Sequence, residues 1–163
     1  MRTKIVTMIA AVLLASPFTA NASLLWDWTF TDTGGNSGSG TLTTNDLSAG
    51  SYLITNVTGL WNGSPITGLD PIGTCCYPPN NDNLLLNSTP QLDLAGFAFS
   101  VSGGPDINIF FYASGSIYEA ITPGQTAGPS GTFMAAQVPE PASLALVGFG
   151  LAGLGFKRRR MAS

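Results

Sequence analysis

The stretch Leu24-Leu25-Trp26-Asp27-Trp28-Thr29-Phe30-Thr31 alternates aromatic and polar side chains from its third residue onward. Successive side chains in a β-strand point to opposite sides, so the three aromatic rings share one face. Asp27 and Thr29 lie on the other face. We therefore predict a β-strand with a buried aromatic face, around which the core of a domain is organised.

The residues that follow repeat this pattern in short runs separated by glycine and proline. Asn62-Gly63, between two β-prone runs, predicts a tight hairpin. Eight or nine short strands joined by turns predict an all-β domain over residues 23–137, built as a two-layer antiparallel sandwich or jelly-roll-like domain. The other predicted strands are residues 40–44, 52–60, 65–67, 83–87, 96–102, 107–113, 116–121 and 131–136.

The amino-terminal segment, residues 1–22, has the pattern of a secretory signal peptide. A short basic region, Met1-Arg2-Thr3-Lys4, precedes a mostly apolar run that we expect to form a helix. The small residues Ala20 and Ala22 form an A-x-A signal peptidase site, which places the start of the exported domain at residue 23. The alternative is a permanent amino-terminal anchor.

The carboxy-terminal segment, residues 138–163, has three parts. Pro139-Glu140-Pro141 is stiff and polar, and residues 142–156 carry no charge. A cluster of four basic residues follows, which we call the basic stop. Fifteen helical residues rise about 22 Å, against a hydrocarbon core of about 30 Å. We predict a short transmembrane helix over 142–156, since long basic side chains can reach outward to the headgroups. The alternative is a buried helix of a soluble domain. The basic stop is Lys157, Arg158, Arg159 and Arg160.

This order of motif, apolar span and basic stop resembles the PEP-CTERM sorting signal of Gram-negative bacteria. The resemblance implies that an exosortase, a membrane-embedded processing enzyme, recognises Pro139, Glu140 and Pro141. It also implies a precursor anchored in the inner membrane, removal of the tail near the motif, and delivery of the body to the cell surface or the extracellular matrix. Such proteins are exported alongside exopolysaccharide. The same tail is similar to a segment labelled as a C-terminal domain of ice-binding proteins.

Charge is distributed very unevenly along the chain. All six lysines and arginines lie in the two ends, whereas eight of the nine acids lie in residues 23–137. Nucleic-acid binding needs cations against phosphate, so we predict no nucleic-acid partner. The chain also has no histidine, which removes histidine-activated nucleophiles and histidine metal sites. We therefore predict that the domain is not an enzyme and holds no cofactor or metal.

Two residue pairs in the domain are candidate sites. Cys75 and Cys76 can close a vicinal disulfide in an oxidising compartment, remain free thiols, or crosslink two chains. Trp61, next to a turn and expected to be exposed, could stack on sugar rings together with Tyr77. The other two tryptophans are expected to fill the core.

Two further groups represent other classes of function. Asn80-Asn81-Asp82-Asn83 is rich in oxygen and could ligate calcium, although it also reads as a plain turn. Asp93 and Glu119 could form the carboxylate pair of a glycoside hydrolase, or be two solvated acids.

The main prediction is a non-catalytic cell-surface or matrix protein whose neighbours include extracellular polysaccharide. The alternatives are a carbohydrate- or calcium-binding module and a carboxylate-dependent glycoside hydrolase.

Overall fold

The computed structural model describes residues 23–76 and 80–139, which form β-strands joined by turns and loops. The nine strands are β1 (Leu24–Asp32), β2 (Ser37–Thr44), β3 (Ser51–Trp61), β4 (Ser64–Leu69), β5 (Leu84–Leu86), β6 (Phe97–Val101), β7 (Ile107–Tyr112), β8 (Ile117–Ile121) and β9 (Gly131–Gln137). Across these two ranges, no helix is long and apolar enough to cross a membrane. The helices predicted within residues 1–22 and 142–156 lie outside the described residues.

Eight of the strands form a closed antiparallel barrel. Their order is β2-β1-β9-β8-β7-β6-β4-β3, and β3 pairs back onto β2. This closing seam is long, with seven register pairs from Gly38↔Trp61 to Thr44↔Ile54. The short β5 pairs with the first residues of β3, outside the ring of eight.

The predicted two-layer sandwich or jelly roll is therefore wrong, although the all-β class and most strand positions agree with the structure. A sandwich leaves strands with an unpaired edge, whereas here β1 is paired on both sides and β2 joins β1 to β3. Alternating side chains occur in both architectures, with one face inward in each. The alternation therefore could not distinguish between them.

Aromatic side chains fill the interior of the barrel. Trp28 lies at its centre, with ring-centroid distances of 5.7 Å to Phe97, 5.8 Å to Phe99 and 6.4 Å to Phe133. An eight-stranded barrel is just wide enough for side chains to fill. The alternation of the first stretch thus predicts the core correctly, since Trp26, Trp28 and Phe30 are all buried.

The seam between β8 and β9 is short and is completed by a side chain. The two strands share one register pair, Tyr118↔Gly131. Further along β9, the Gln91 amide donates to the Ala135 carbonyl at 2.7 Å and accepts from the Ala135 N–H at 2.9 Å. The amide therefore gives Ala135 the two hydrogen bonds that a neighbouring strand would otherwise provide.

The barrel has two different ends. We call the first the mouth; it is formed by the loops of residues 33–36, 62–63, 102–106 and 122–130. We call the other the exit end, because β1 begins there and β9 leaves there. The segments 45–50, 70–76, 80–96 and 113–116 also belong to the exit end. The ladder between β1 and β9 continues to Val138, whose N–H donates to the Leu25 carbonyl at 2.8 Å.

Candidate functional site

A cavity of about 440 Å³ opens at the mouth of the barrel. Its walls combine apolar side chains with amides and hydroxyls, and no lining residue is ionisable. Cavities in barrel mouths commonly bind small ligands. The side chains that give it this character are Asn36, Trp61, Asn62, Ser64, Val101, Ser102, Ile107, Ile121, Thr122 and Gln125.

Trp61 forms part of the cavity wall from the last position of β3. Its exposed fraction is 6 %, so the expectation of an exposed tryptophan is wrong. Phe30 stacks on it at 5.5 Å with an interplanar angle of 28° and covers one ring face. The indole therefore belongs to the core as well as to the cavity. Contact of Trp61 with a glycan stays a prediction, and Tyr77 lies outside the described residues.

Hydrogen bonds between neighbouring loops fix the polar rim of the mouth. The Asn62 amide donates to Asn36 Oδ1 at 3.0 Å, and its own oxygen accepts from the Ser37 N–H at 2.8 Å. Asp32 holds Asn36 in turn, accepting from its side-chain amide at 2.7 Å and from its backbone N–H at 2.9 Å. Asn62 and Gly63 have φ values of 49° and 80°, which confirms the predicted hairpin turn. The rim is therefore organised before any ligand arrives.

Asp93 and Glu119, the candidate hydrolase pair, each perform a separate structural task. Asp93 Oδ1 accepts from the backbone N–H groups of residues 95–96, at 2.9 and 3.0 Å. Glu119 is buried on β8 and accepts from the Gly128 N–H at 2.9 Å. The carboxyl group within hydrogen-bonding range of Asp93 is that of Asp82. Neither acid lines the mouth cavity.

Within the oxygen-rich segment Asn80–Asn83, the two buried asparagines, Asn81 and Asn83, form a polar hub. Asn81 Oδ1 accepts from two backbone N–H groups, one of them that of Cys75 at 3.0 Å. Asn83 Oδ1 accepts from the Asn81 amide at 3.0 Å and from the Ala98 N–H at 3.2 Å. These oxygens already satisfy donors, so they are not available to calcium. The described residues also contain no cluster of three or more histidine, cysteine or acidic side chains that could hold a metal ion.

Cys75 and Cys76 form a vicinal disulfide in the structure. Cys75 is buried, and its backbone carbonyl accepts from the Asn81 N–H at 2.8 Å. The pair therefore lies in the loop that the asparagine hub anchors at the exit end.

Asp82 is the acid whose ionisation is most affected by the fold. Burial raises the pKa of Asp82 to about 6 from the ordinary value of 3.8, and the adjacent Asp93 carboxyl adds to the rise. One hydrogen bond, from the Leu84 N–H at 3.1 Å, partly opposes it. Burial also raises the pKa of Asp70, although its Oδ1 accepts from the Ser100 hydroxyl at 2.6 Å. Both carboxyl groups therefore hold their protons to a higher pH in the folded protein than in the unfolded chain.

The protein is expected to be more stable at pH 5 than at pH 7.5. Between 3.8 and about 6, folded Asp82 keeps a proton that the unfolded chain has released, so stability falls as pH rises through this window. We expect Asp82→Asn to raise the free energy of unfolding at pH 7.5 by about 1 kcal/mol, a value reduced because the side chain is partly exposed. The variant should also show a smaller change in the free energy of unfolding between the two pH values. Urea unfolding at both pH values measures this. Asp46→Asn, at an exposed turn, is the control, and an equal gain from it would contradict the assignment.

The residues of the predicted targeting motifs fall largely outside the described part of the chain. Pro139 is described and exposed, directly after the last bonded residue of the barrel. Glu140, Pro141, the basic stop and the signal peptidase site at Ala20 and Ala22 are not described. The sorting motif therefore begins at Pro139, one residue after Val138, which makes the last backbone hydrogen bond between β9 and β1.

Comparison with known families identifies this tail. A family model described as the PEP-CTERM protein-sorting motif matches residues 137–160. The chain carries a PEP-CTERM sorting signal. It is therefore an exported protein with a membrane-anchored precursor, which an exosortase processes before the body reaches the cell surface. No curated protein and no solved structure matches the chain.

The PEP-CTERM match covers the tail, so the function of the barrel must be inferred from its own geometry. The sorting signal was readable in the sequence because it is a local pattern. The mouth cavity was not, since its walls come from five strands and four loops that are far apart in the chain.

Proposed function

We propose that the exported body is a non-catalytic surface protein whose barrel mouth binds an uncharged saccharide unit of the extracellular polysaccharide. The mouth cavity carries this proposal, because its wall is mixed apolar and polar and contains no ionisable group. A sugar ring presents the same combination, with apolar C–H faces and a polar rim of hydroxyls. Amides such as Asn62 and Gln125 are suitable partners for hydroxyl groups.

The charge of the domain supports a neutral ligand over an acidic one. Residues 23–137 carry eight acids and no cation, so an anionic polymer would be repelled. The absence of an ionisable lining residue also supports a role in binding, because general acid–base chemistry requires a titratable group at the reacting atoms. The position of the mouth opposite the exit end leaves the cavity accessible while the precursor is anchored.

Calorimetric titration with neutral cello-, malto- and xylo-oligosaccharides tests the proposal, with polygalacturonate as the anionic comparison. We expect at least one neutral series to bind and polygalacturonate not to bind. Ser102→Phe, at the exposed rim of the cavity, is expected to weaken binding at least about tenfold, which corresponds to about 1.4 kcal/mol. Ser39→Phe, on the exposed outer wall, is the matched control and should bind like the wild type.

Two results would contradict the proposal. Equal binding by the two phenylalanine variants would place the saccharide outside the mouth. Release of new reducing ends from a bound oligosaccharide would show that the domain is catalytic.

A further inference from the structure

Large apolar side chains that remain exposed are concentrated at one end of the barrel. Seven such residues are found in the described part of the chain, and five of them lie at the exit end. The other two are Leu60, near the mouth, and Met134, on the outer wall. The five at the exit end, which we call the apolar rim, are Leu25, Leu47, Ile72, Leu94 and Tyr112.

The apolar rim exists only in the closed barrel. Its members come from the start of β1, the turn between β2 and β3, the segment after β4, the segment before β6 and the end of β7. Antiparallel pairing around the ring brings all five segments to the same end. Exposed large apolar side chains gathered at one end of a domain usually mark a surface that meets another apolar surface.

The chain itself indicates which surface this is. Val138 is bonded to Leu25, a member of the rim, so the polypeptide leaves the barrel beside it. The uncharged run begins at residue 142, only four residues further on. Four residues span at most about 14 Å. While the precursor is membrane-anchored, this tether holds the exit end against the bilayer surface.

We propose that the apolar rim rests in the bilayer interface in the membrane-anchored precursor, so that the barrel stands on the membrane with its mouth directed outward. Leucine, isoleucine and tyrosine side chains partition favourably into this zone. Attraction to anionic headgroups does not contribute, because the domain has no lysine or arginine. The contact is therefore apolar, forms with zwitterionic lipid, and depends on the tether to hold the barrel in place.

The test uses two tryptophan reporters with matched exposure. Leu47 is 48 % exposed at the rim and Leu60 is 49 % exposed near the mouth. The full-length precursor is reconstituted into phosphatidylcholine vesicles whose acyl chains carry bromine, which quenches tryptophan emission. Wild-type emission is subtracted, because the three native tryptophans are buried. We expect Leu47→Trp emission to be blue-shifted and reduced at least twofold, with Leu60→Trp emission unchanged.

Equal quenching of the two reporters, or no quenching of Leu47→Trp, overturns the proposal. The vesicles contain no exosortase. If the apolar rim contacts only that enzyme, Leu47→Trp emission will therefore not be quenched. Circular dichroism in the vesicles checks that each variant folds. If Leu47→Trp is not folded, Leu94→Trp replaces it, with the same expected quenching and the same overturning result.

Discussion

Trp28→Ala is expected to lower the free energy of unfolding by about 4 kcal/mol, within the range for deletion of a buried aromatic side chain. Trp28 is 1 % exposed and packs on three phenylalanines from β6 and β9, so its removal leaves a cavity in the middle of the barrel. Domains of this size are typically stable by about 5–15 kcal/mol. A loss this large should be visible as a much lower midpoint in urea unfolding, followed by circular dichroism.

Trp28→Phe provides the matched control for this prediction. The indole Nε1 is buried with no hydrogen-bond acceptor among the described residues, a situation that costs free energy in the folded state. Phenylalanine keeps most of the packing and removes that donor. We therefore expect a loss below about 1.5 kcal/mol. If both variants were destabilised equally, the hydrogen-bonding state of the indole would have to be reconsidered.

Gly40→Ala is expected to destabilise the protein by about 3 kcal/mol or more, through strain rather than a cavity. Gly40 lies directly opposite Gly59 in the seam between β2 and β3. A Cβ atom at position 40 would overlap the Thr58 carbonyl oxygen, and one at position 59 would overlap the Ser39 carbonyl oxygen. These are backbone atoms and cannot move without separating the two strands.

Gly68→Ala, on β4, is the control for the seam variant, because a Cβ atom there meets nothing within 4 Å. Its unfolding midpoint should stay close to that of the wild type. Gly40→Ala would also be expected to bind a dye that reports exposed apolar surface, since an opened seam uncovers the aromatic core. A Gly40→Ala protein as stable as Gly68→Ala would show that the seam tolerates more separation than the structure indicates.

The sequence was sufficient to predict the strands but not their closure. Trp26, Trp28 and Phe30 alternate with polar residues, and this local pattern determines which face is buried. Closure depends on β2 meeting β3 across the Gly40 and Gly59 pair, and a glycine in a strand does not indicate its partner. The same alternation is therefore compatible with a sandwich and with a barrel.

The candidate site was harder to predict than the fold. Trp61 was expected to be exposed because it adjoins a turn, but Phe30 covers it through a contact between distant parts of the sequence. Asn81 and Asn83 look like calcium ligands in the sequence, whereas in the structure their oxygens satisfy buried N–H groups. By contrast, the PEP-CTERM motif was identified from sequence because its recognition depends on a contiguous segment.

The pairing of β1 with β9 has a consequence for secretion. The first strand of the body needs the last one as its neighbour, so the ring cannot close until residue 137 has emerged on the far side of the inner membrane. Until then β1 lacks one of its two partner strands, and the barrel stays open. Closure of the barrel therefore depends on the stretch of chain that leads directly into the sorting motif, since β9 ends at Gln137 and the motif begins at Pro139.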